Sequence, residues 1–195
     1  MLPKLIARGT FAFTGWKFDN QMPPDLKQCV MIAAPHTSNW DALHTRLAFV
    51  LMGIPVKITI KDSYMRFPMG PVIRYLGGIG INRRPKKDGE ERPSMVQMMA
   101  DLFKEHDDLV MLVTPEGTRS LRTKWKTGFY HIAVAANVPI ALAYMDYAKK
   151  EVGVAKIVYP SGDMKKDLQE IMAFYKHIIP KHPQNFSIDL EYDRV

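Results

Sequence analysis

Apolar positions along the chain fall into two registers that alternate with each other. Short apolar runs of strand length occupy residues 27–34, 56–60, 77–84, 109–113, 139–147 and 152–159. Between them the period changes to that of a helix. Over 39–52, Trp40, Leu43, Leu47, Val50 and Leu51 recur at the spacing of one buried helix face, and Gly53 then Pro55 close the run. Ser94 can cap a second helix running to about 107, with Val96, Met99, Leu102 and Phe103 on one side. Residues 125–137 predict a third, packed through Phe129, Ile132 and Ala136, and a fourth runs from 163 or 165 to 179. Residues 186–192 alternate like a last strand, and 61–77 read as irregular around the bend Phe67-Pro68-Met69-Gly70-Pro71.

Strands alternating with helices predict an α/β fold. The expectation is a single layered domain whose sheet is mainly parallel and carries helices on both faces. The continuous apolar run at 109–113 suits a sheet covered on both sides. Lys149-Lys150 between two apolar runs predicts one antiparallel hairpin.

The first residues stand apart. Leu2, Leu5, Ile6, Phe13 and Trp16 sit at roughly helical spacing, interleaved with Lys4, Arg8 and Lys17, and Pro23-Pro24 ends the stretch. Residues 1–26 are therefore read as an amphipathic segment able to lie on a membrane surface, and 27–195 as the domain proper. A terminal helix packed on the domain fits the same pattern equally well. The basic residues interrupt any signal-peptide pattern, and no run of 18 apolar residues predicts a spanning helix. Met65, Phe67 and Met69 could line an acyl pocket, touch lipid, or belong to the core.

Composition narrows the class. The 195 residues are 47% hydrophobic and 24% charged, ordinary for one globular domain. The single cysteine, Cys29, excludes an internal disulfide, suits a reducing compartment, and reads as a buried structural thiol. A net charge of +7 favours anionic partners: a phosphate-bearing substrate, an anionic membrane surface or nucleic acid. Nucleic acid is the weaker choice, because no zinc-finger spacing, RNP-type aromatic motif or basic zipper is present.

Candidate chemistry gathers at three predicted strand ends. His36 lies in the loop leaving the first strand, and Asp41 lies in the first turn of the helix that follows. Helical side chains lean toward the N-terminus, so Asp41 would point back at that loop. A His–carboxylate pair there could serve as general base and orienting partner. Asn82 and Arg83 form the polar, basic exit of the 77–84 strand, and Glu116 to Arg119 follow 109–113. In open α/β sheets, sites form outside the carboxyl ends of the strands. Taken singly, each feature has a plain reading as well. In that reading Asp41 is a helix-dipole residue, Arg83 a solvated charge, and Glu116 with Arg119 a local ion pair.

Taken together, four blocks resemble the glycerolipid acyltransferase family of the lysophosphatidate (1-acylglycerol-3-phosphate) acyltransferase type. They are His36-Thr37-Ser38-Asn39-Trp40-Asp41, Gly78-Ile79-Gly80-Ile81-Asn82-Arg83, Pro115-Glu116-Gly117-Thr118-Arg119-Ser120 and Val138-Pro139-Ile140. Pro35 stands where the family often has Asn, and Ala141-Leu142-Ala143 where a second Pro is common. The resemblance implies transfer of a fatty acyl group from acyl-CoA or acyl-ACP, as co-substrate, to a hydroxyl of a lysophospholipid acceptor. It implies His36 and Asp41 as the catalytic pair. It gives Asn82, Arg83, Glu116, Gly117, Thr118 and Arg119 to the acceptor, and implies no bound cofactor. Lys124 and Lys126 could add charge for a donor's phosphates, or be simply solvated. The expected setting is the cytoplasmic side, peripheral on the inner face of the cell membrane, with no nucleic acid partner.

Rival readings have less support. No Gly-x-Ser-x-Gly supports a serine hydrolase, and no His-Glu-x-x-His or cysteine cluster supports a metal, so none is expected. His44, His106, His131, His177 and His182 read as packing or surface residues. Acyl transfer to another lysolipid or to an amino-acid-based lipid is the alternative within the enzyme class. A non-catalytic module that binds anionic lipid is the alternative outside it, and it gives no reason for His36 and Asp41.

Overall fold

The computed structural model describes residues 2–82 and 94–193. The stretch 85–92, rich in charged residues and read from the sequence as a loop, lies outside them, as does Arg83. The chain begins with α1 (Leu2–Thr14) and the short strand β1 (Lys17–Asn20). β2 (Gln28–Ala34), α2 (Asn39–Met52) and β3 (Val56–Lys61) follow, then a 3-10 turn at Asp62–Met65 and α3 (Met69–Tyr75). Then come β4 (Gly78–Ile81), α4 (Met95–Glu105), β5 (Leu109–Val113) and α5 (Gly128–Ala136). β6 (Ile140–Asp146), β7 (Glu151–Val158) and α6 (Met164–Tyr175) complete the order.

The strands form one seven-stranded sheet in the order β1-β7-β6-β2-β5-β3-β4. β6, β2, β5, β3 and β4 run parallel, β7 pairs antiparallel with β6, and β1 runs parallel to β7. The α/β reading, with its hairpin, holds. Helices cover both faces. From β2, Val30, Ile32 and Ala34 enter a core with α4, α5 and α6, while Cys29 and Met31 meet Phe49 of α2 on the other side. Burial pushes the Cys29 thiol up to about 12, so it is an inert core group.

Local chemistry sets the ends of α2. Ser38 is extended, accepts from Trp40 N–H at 3.2 Å, and forms a capping box with Asp41. Gly53 takes the left-handed conformation, φ +76°, and returns its N–H to Phe49 O.

Four sequence expectations are corrected. The buried face of α2 is Asp41, His44, Ala48 and Phe49, not the stripe through Trp40 and Leu43, which are 53% and 45% exposed. α1 covers this outer side only in part. Ala7 and Phe11 of α1 are buried, and Phe11 and Trp16 pack with Ala48, Leu47 and Leu51. The helical reading of the first 20 residues ends at Thr14, and Lys17–Asn20 instead joins the sheet edge beside β7. Within 61–77, α3 forms because Pro71 falls in its first turn, where no intrahelical N–H is needed. A Cβ at Gly70 would also collide with the Met65 carbonyl, so glycine permits the preceding turn to close on it.

Finally, residues 186–192 form no strand. They follow a 3-10 turn at Pro183–Asn185 and dock on the loop before α5. Trp125 N–H and ring N–H donate to Asp189 Oδ2 (2.8 Å) and Ser187 O (2.9 Å), and Leu190 N–H donates to Thr123 O. Both sheet edges are already held by β1 and β4. The alternation therefore reflects packing over Trp125, not a ladder.

Candidate active site

β2 delivers the chain to the carboxyl edge of the sheet, where Pro35 and His36 leave it and Ser38 starts α2. Asp41, in the first turn, points back over this loop. Its Oδ2 accepts from the N–H groups of Thr37 and Ser38, both at 2.7 Å, and lies 3.5 Å from His36 Nδ1. Its Oδ1 accepts from the Tyr147 hydroxyl at 2.7 Å. The carboxyl is 4% exposed. Burial pushes its pKa up, but the bonds from His36, Tyr147, Ser38 and Thr37 outweigh that and hold it below the usual range. Asp41 is thus a fixed anion beside an imidazole. An Nδ1–H given to it leaves Nε2 with its lone pair free to take a proton.

Glu116 reaches the same loop from β5. The turn Thr114–Gly117 closes with Gly117 N–H on Thr114 O, and Glu116 Oε2 accepts from His36 N–H at 2.8 Å. Burial pushes its carboxyl up to about 7. Gly117 has φ +67°, and a Cβ there would lie 2.6 Å from Lys126 Nζ. The left-handed φ favours glycine here, while the Lys126 chain end could swing aside for a larger residue.

A cavity of about 260 Å³ opens beside this pair, narrow by the standard of ligand sites (roughly 300–1,000 Å³). Ala33, Phe49, Val56, Ile58 and Leu112 give it an apolar floor, and His36, Asp41, Thr45, Arg46 and Thr114 give it polar lining. Met65, Phe67 and Met69 do not line it. Phe67 is 89% exposed, leaving surface contact as its open role.

The predicted residues divide by place. His36, Asp41 and Glu116 come together in one hydrogen-bonded cluster. Gly117, Thr118 and Arg119 continue along the loop from Glu116, with Arg119 exposed and Thr118 Oγ1 accepting from Ser120 N–H. Asn82 follows β4, three strand positions from β2 on the same edge, and Arg83 lies outside the described residues. Lys124 pairs with Glu191 at 2.9 Å on the surface. His44 is a packing residue, its ring 4.8 Å from that of Trp16 and its Nδ1 2.9 Å from Trp40 O. Among the described residues, no group of three His, Cys, Asp or Glu side chains is placed to hold a metal ion.

Two residues of the site escape a reading by motif. Tyr147, which follows β6, meets Asp41 because β6 is the neighbour of β2, and sequence spacing carries no sign of that. Arg46 had a signal: Ala42, Thr45, Arg46 and Phe49 share one helix face, and all four line the cavity.

The fold and the pair together give an α/β protein with a His–carboxylate pair lining an apolar-floored cavity. Residues 17–146 match the acyltransferase family, and the chain belongs to that family and is an acyltransferase. No curated protein sequence matches it. Among solved structures it is similar to the 1-acyl-sn-glycerophosphate (LPA) acyltransferase PlsC from Thermotoga maritima. The TM-score is 0.54 and the identity 18%, over 87% of this chain and 73% of that one. At that identity the likeness concerns the fold.

Proposed function

We propose that this acyltransferase moves a fatty acyl group from an acyl-thioester, on CoA or acyl carrier protein, to a hydroxyl of a lysoglycerophospholipid such as lysophosphatidate. The observation that carries the reading is the His36–Asp41 pair, 3.5 Å apart, lining an apolar-floored cavity. A thioester is already activated, so a base and a positioned acceptor suffice. His36 Nε2 takes the acceptor hydroxyl proton as that oxygen bonds to the acyl carbon. The carbon–sulfur bond then breaks, and the imidazolium returns the proton to the departing thiolate. Such a base is worth about 10²–10⁴-fold in rate. Asp41 fixes the imidazole tautomer and stabilises its charged form.

Glu116, by accepting from His36 N–H, sets the backbone from which the imidazole projects. In this reading Asn82, Arg83, Gly117, Thr118 and Arg119 hold the acceptor's polar end, the guanidinium groups matching phosphate geometry. The protein works as a peripheral enzyme on the cytoplasmic face of the membrane. Leu2, Leu5, Ile6 and Phe13 of α1 are 55–94% exposed beside Lys4 and Arg8, the composition of an interfacial helix. Among the described residues, no helix is long and apolar enough to cross a membrane.

The test is product identification. Purified protein is given acyl-CoA or acyl-ACP with lysophosphatidate, other lysophospholipids or an amino-acid-based lysolipid, and the lipids are resolved by mass. A diacyl phospholipid formed only with a phosphate-bearing acceptor supports the reading. Acylation of the amino-acid-based lipid alone would replace it.

A further inference from the structure

Arg46 lines the His36 cavity from the second turn of α2. Arg46 is half-buried, and its guanidinium makes no ion pair or hydrogen bond with any described residue. Among the described residues, the only acid lining that cavity is Asp41, whose oxygens are already taken by His36, Tyr147 and two backbone N–H groups. Arg46 and Phe49 also line a second cleft with Pro3 and Lys4 of α1, to which no acidic residue among the described ones contributes. A partly buried cation with no counter-charge among the described residues, in a cavity with an apolar floor, is a candidate anion site.

We propose that Arg46 binds the phosphate of the acceptor, holding it in the cavity where His36 meets the acceptor hydroxyl. The proposal rests on the acyl-transfer reading above and deepens it. It adds Arg46 to the motif arginines, of which Arg119 lies exposed on its loop and does not line this cavity. Guanidinium meets phosphate through two parallel N–H···O bonds, and Lys4 adds positive potential at the second cleft. The hydrocarbon of the lipid lies against Phe49, Val56 and Leu112. Headgroup and chain are thereby fixed at once, and the hydroxyl is set in register with the base.

The experiment compares wild type, Arg46→Ala and Arg46→Lys, with lysophosphatidate and with monoacylglycerol, which lacks the phosphate. Loss of a charge-assisted pair predicts a KM for lysophosphatidate raised about 10- to 100-fold in Arg46→Ala, with kcat within about threefold. Arg46→Lys recovers part of this, because the charge stays and the fork is lost. The preference for lysophosphatidate over monoacylglycerol shrinks by the same factor, and the KM for the acyl donor is unchanged. A raised donor KM with an unchanged acceptor KM would overturn the proposal and give the phosphate to the carrier. An unchanged preference would overturn it outright.

Binding of lysophosphatidate to protein carrying His36→Ala, by calorimetry below the micellar concentration, reads the site without turnover. Adding Arg46→Ala should weaken it at least tenfold, and equal binding would overturn the proposal. Failure of the enzymatic reading would instead show as wild-type protein that acylates none of the acceptors.

Discussion

Tyr147→Phe removes one oxygen atom and isolates one bond. The Tyr147 hydroxyl is the only donor among the described residues to Asp41 Oδ1, while Thr37, Ser38 and His36 all address Oδ2. A hydrogen bond to a charged, buried acceptor contributes about 1.5–3 kcal/mol. Tyr147 is only half-buried, so water can reach the vacated position, and the lower end applies. A loss of about 1.5–2 kcal/mol corresponds to a fall in Tm of about 3–8 °C for a chain of this size. The phenylalanine keeps the edge-on contact with Trp16, whose ring lies 5.0 Å from that of residue 147, so packing is held constant.

Catalysis should respond as well. With Oδ1 unheld, the carboxylate can rotate away from His36, and kcat should fall about 3- to 30-fold while the acceptor KM stays within twofold. Asp41 also loses one of the bonds that hold its carboxyl low. A group with a lowered folded pKa stabilises the fold above its unfolded value and loses that stabilisation as pH falls. The loss on acidification should therefore begin at higher pH in the variant. Thermal melts at several pH values, with initial rates at saturating donor, read all three effects. A variant with wild-type Tm and kcat would show that the bond does not hold Asp41, and the reasoning would fail.

Glu116→Gln keeps the acceptor for His36 N–H but cannot ionise. The carboxyl, raised by burial from 4.5 to about 7, is protonated in the folded state where the unfolded chain has already released its proton. Stability conferred by the raised group is present below about pH 4.5 and declines up to about pH 7, by up to about 3 kcal/mol. The difference in unfolding free energy between wild type and Glu116→Gln should drop across that window, and a flat difference would contradict the burial argument. For the N-terminal helix, replacing Leu5 and Phe13 together with glutamate should lower co-sedimentation with anionic vesicles at least tenfold while shifting Tm little, since both side chains are exposed. Unchanged co-sedimentation would remove α1 from the membrane surface.

What could be seen in the sequence was what local chemistry decides. Ser38, Asp41 and Gly53 cap α2 through bonds within a few residues of each other, so both ends of that helix were legible. Residues 109–111 are buried on both faces, as the unbroken apolar run of their strand says. Gly117 and Glu116 were visible as a turn beside a strand end. What required the third dimension was which elements are neighbours. Tyr147 reaches Asp41 across 106 residues because β6 lies next to β2. The face of α2 was misread because Trp40 and Leu43 are apolar yet point outward, beyond the cover of α1. Residues 186–192 alternate because they pack over Trp125, and period alone does not tell a strand from such a strap.

The central claim is that His36 is the base of a thioester-dependent acyl transfer. The most direct measurement is release of free thiol from acyl-CoA or acyl-ACP, with lysophosphatidate present, by wild type beside His36→Ala. The account predicts acceptor-dependent release by the wild type and a rate lower by about 10²–10⁴-fold in the variant, with an unchanged far-UV spectrum and a Tm within a few degrees. A folded His36→Ala protein that releases thiol and acylates the acceptor at the wild-type rate would contradict it.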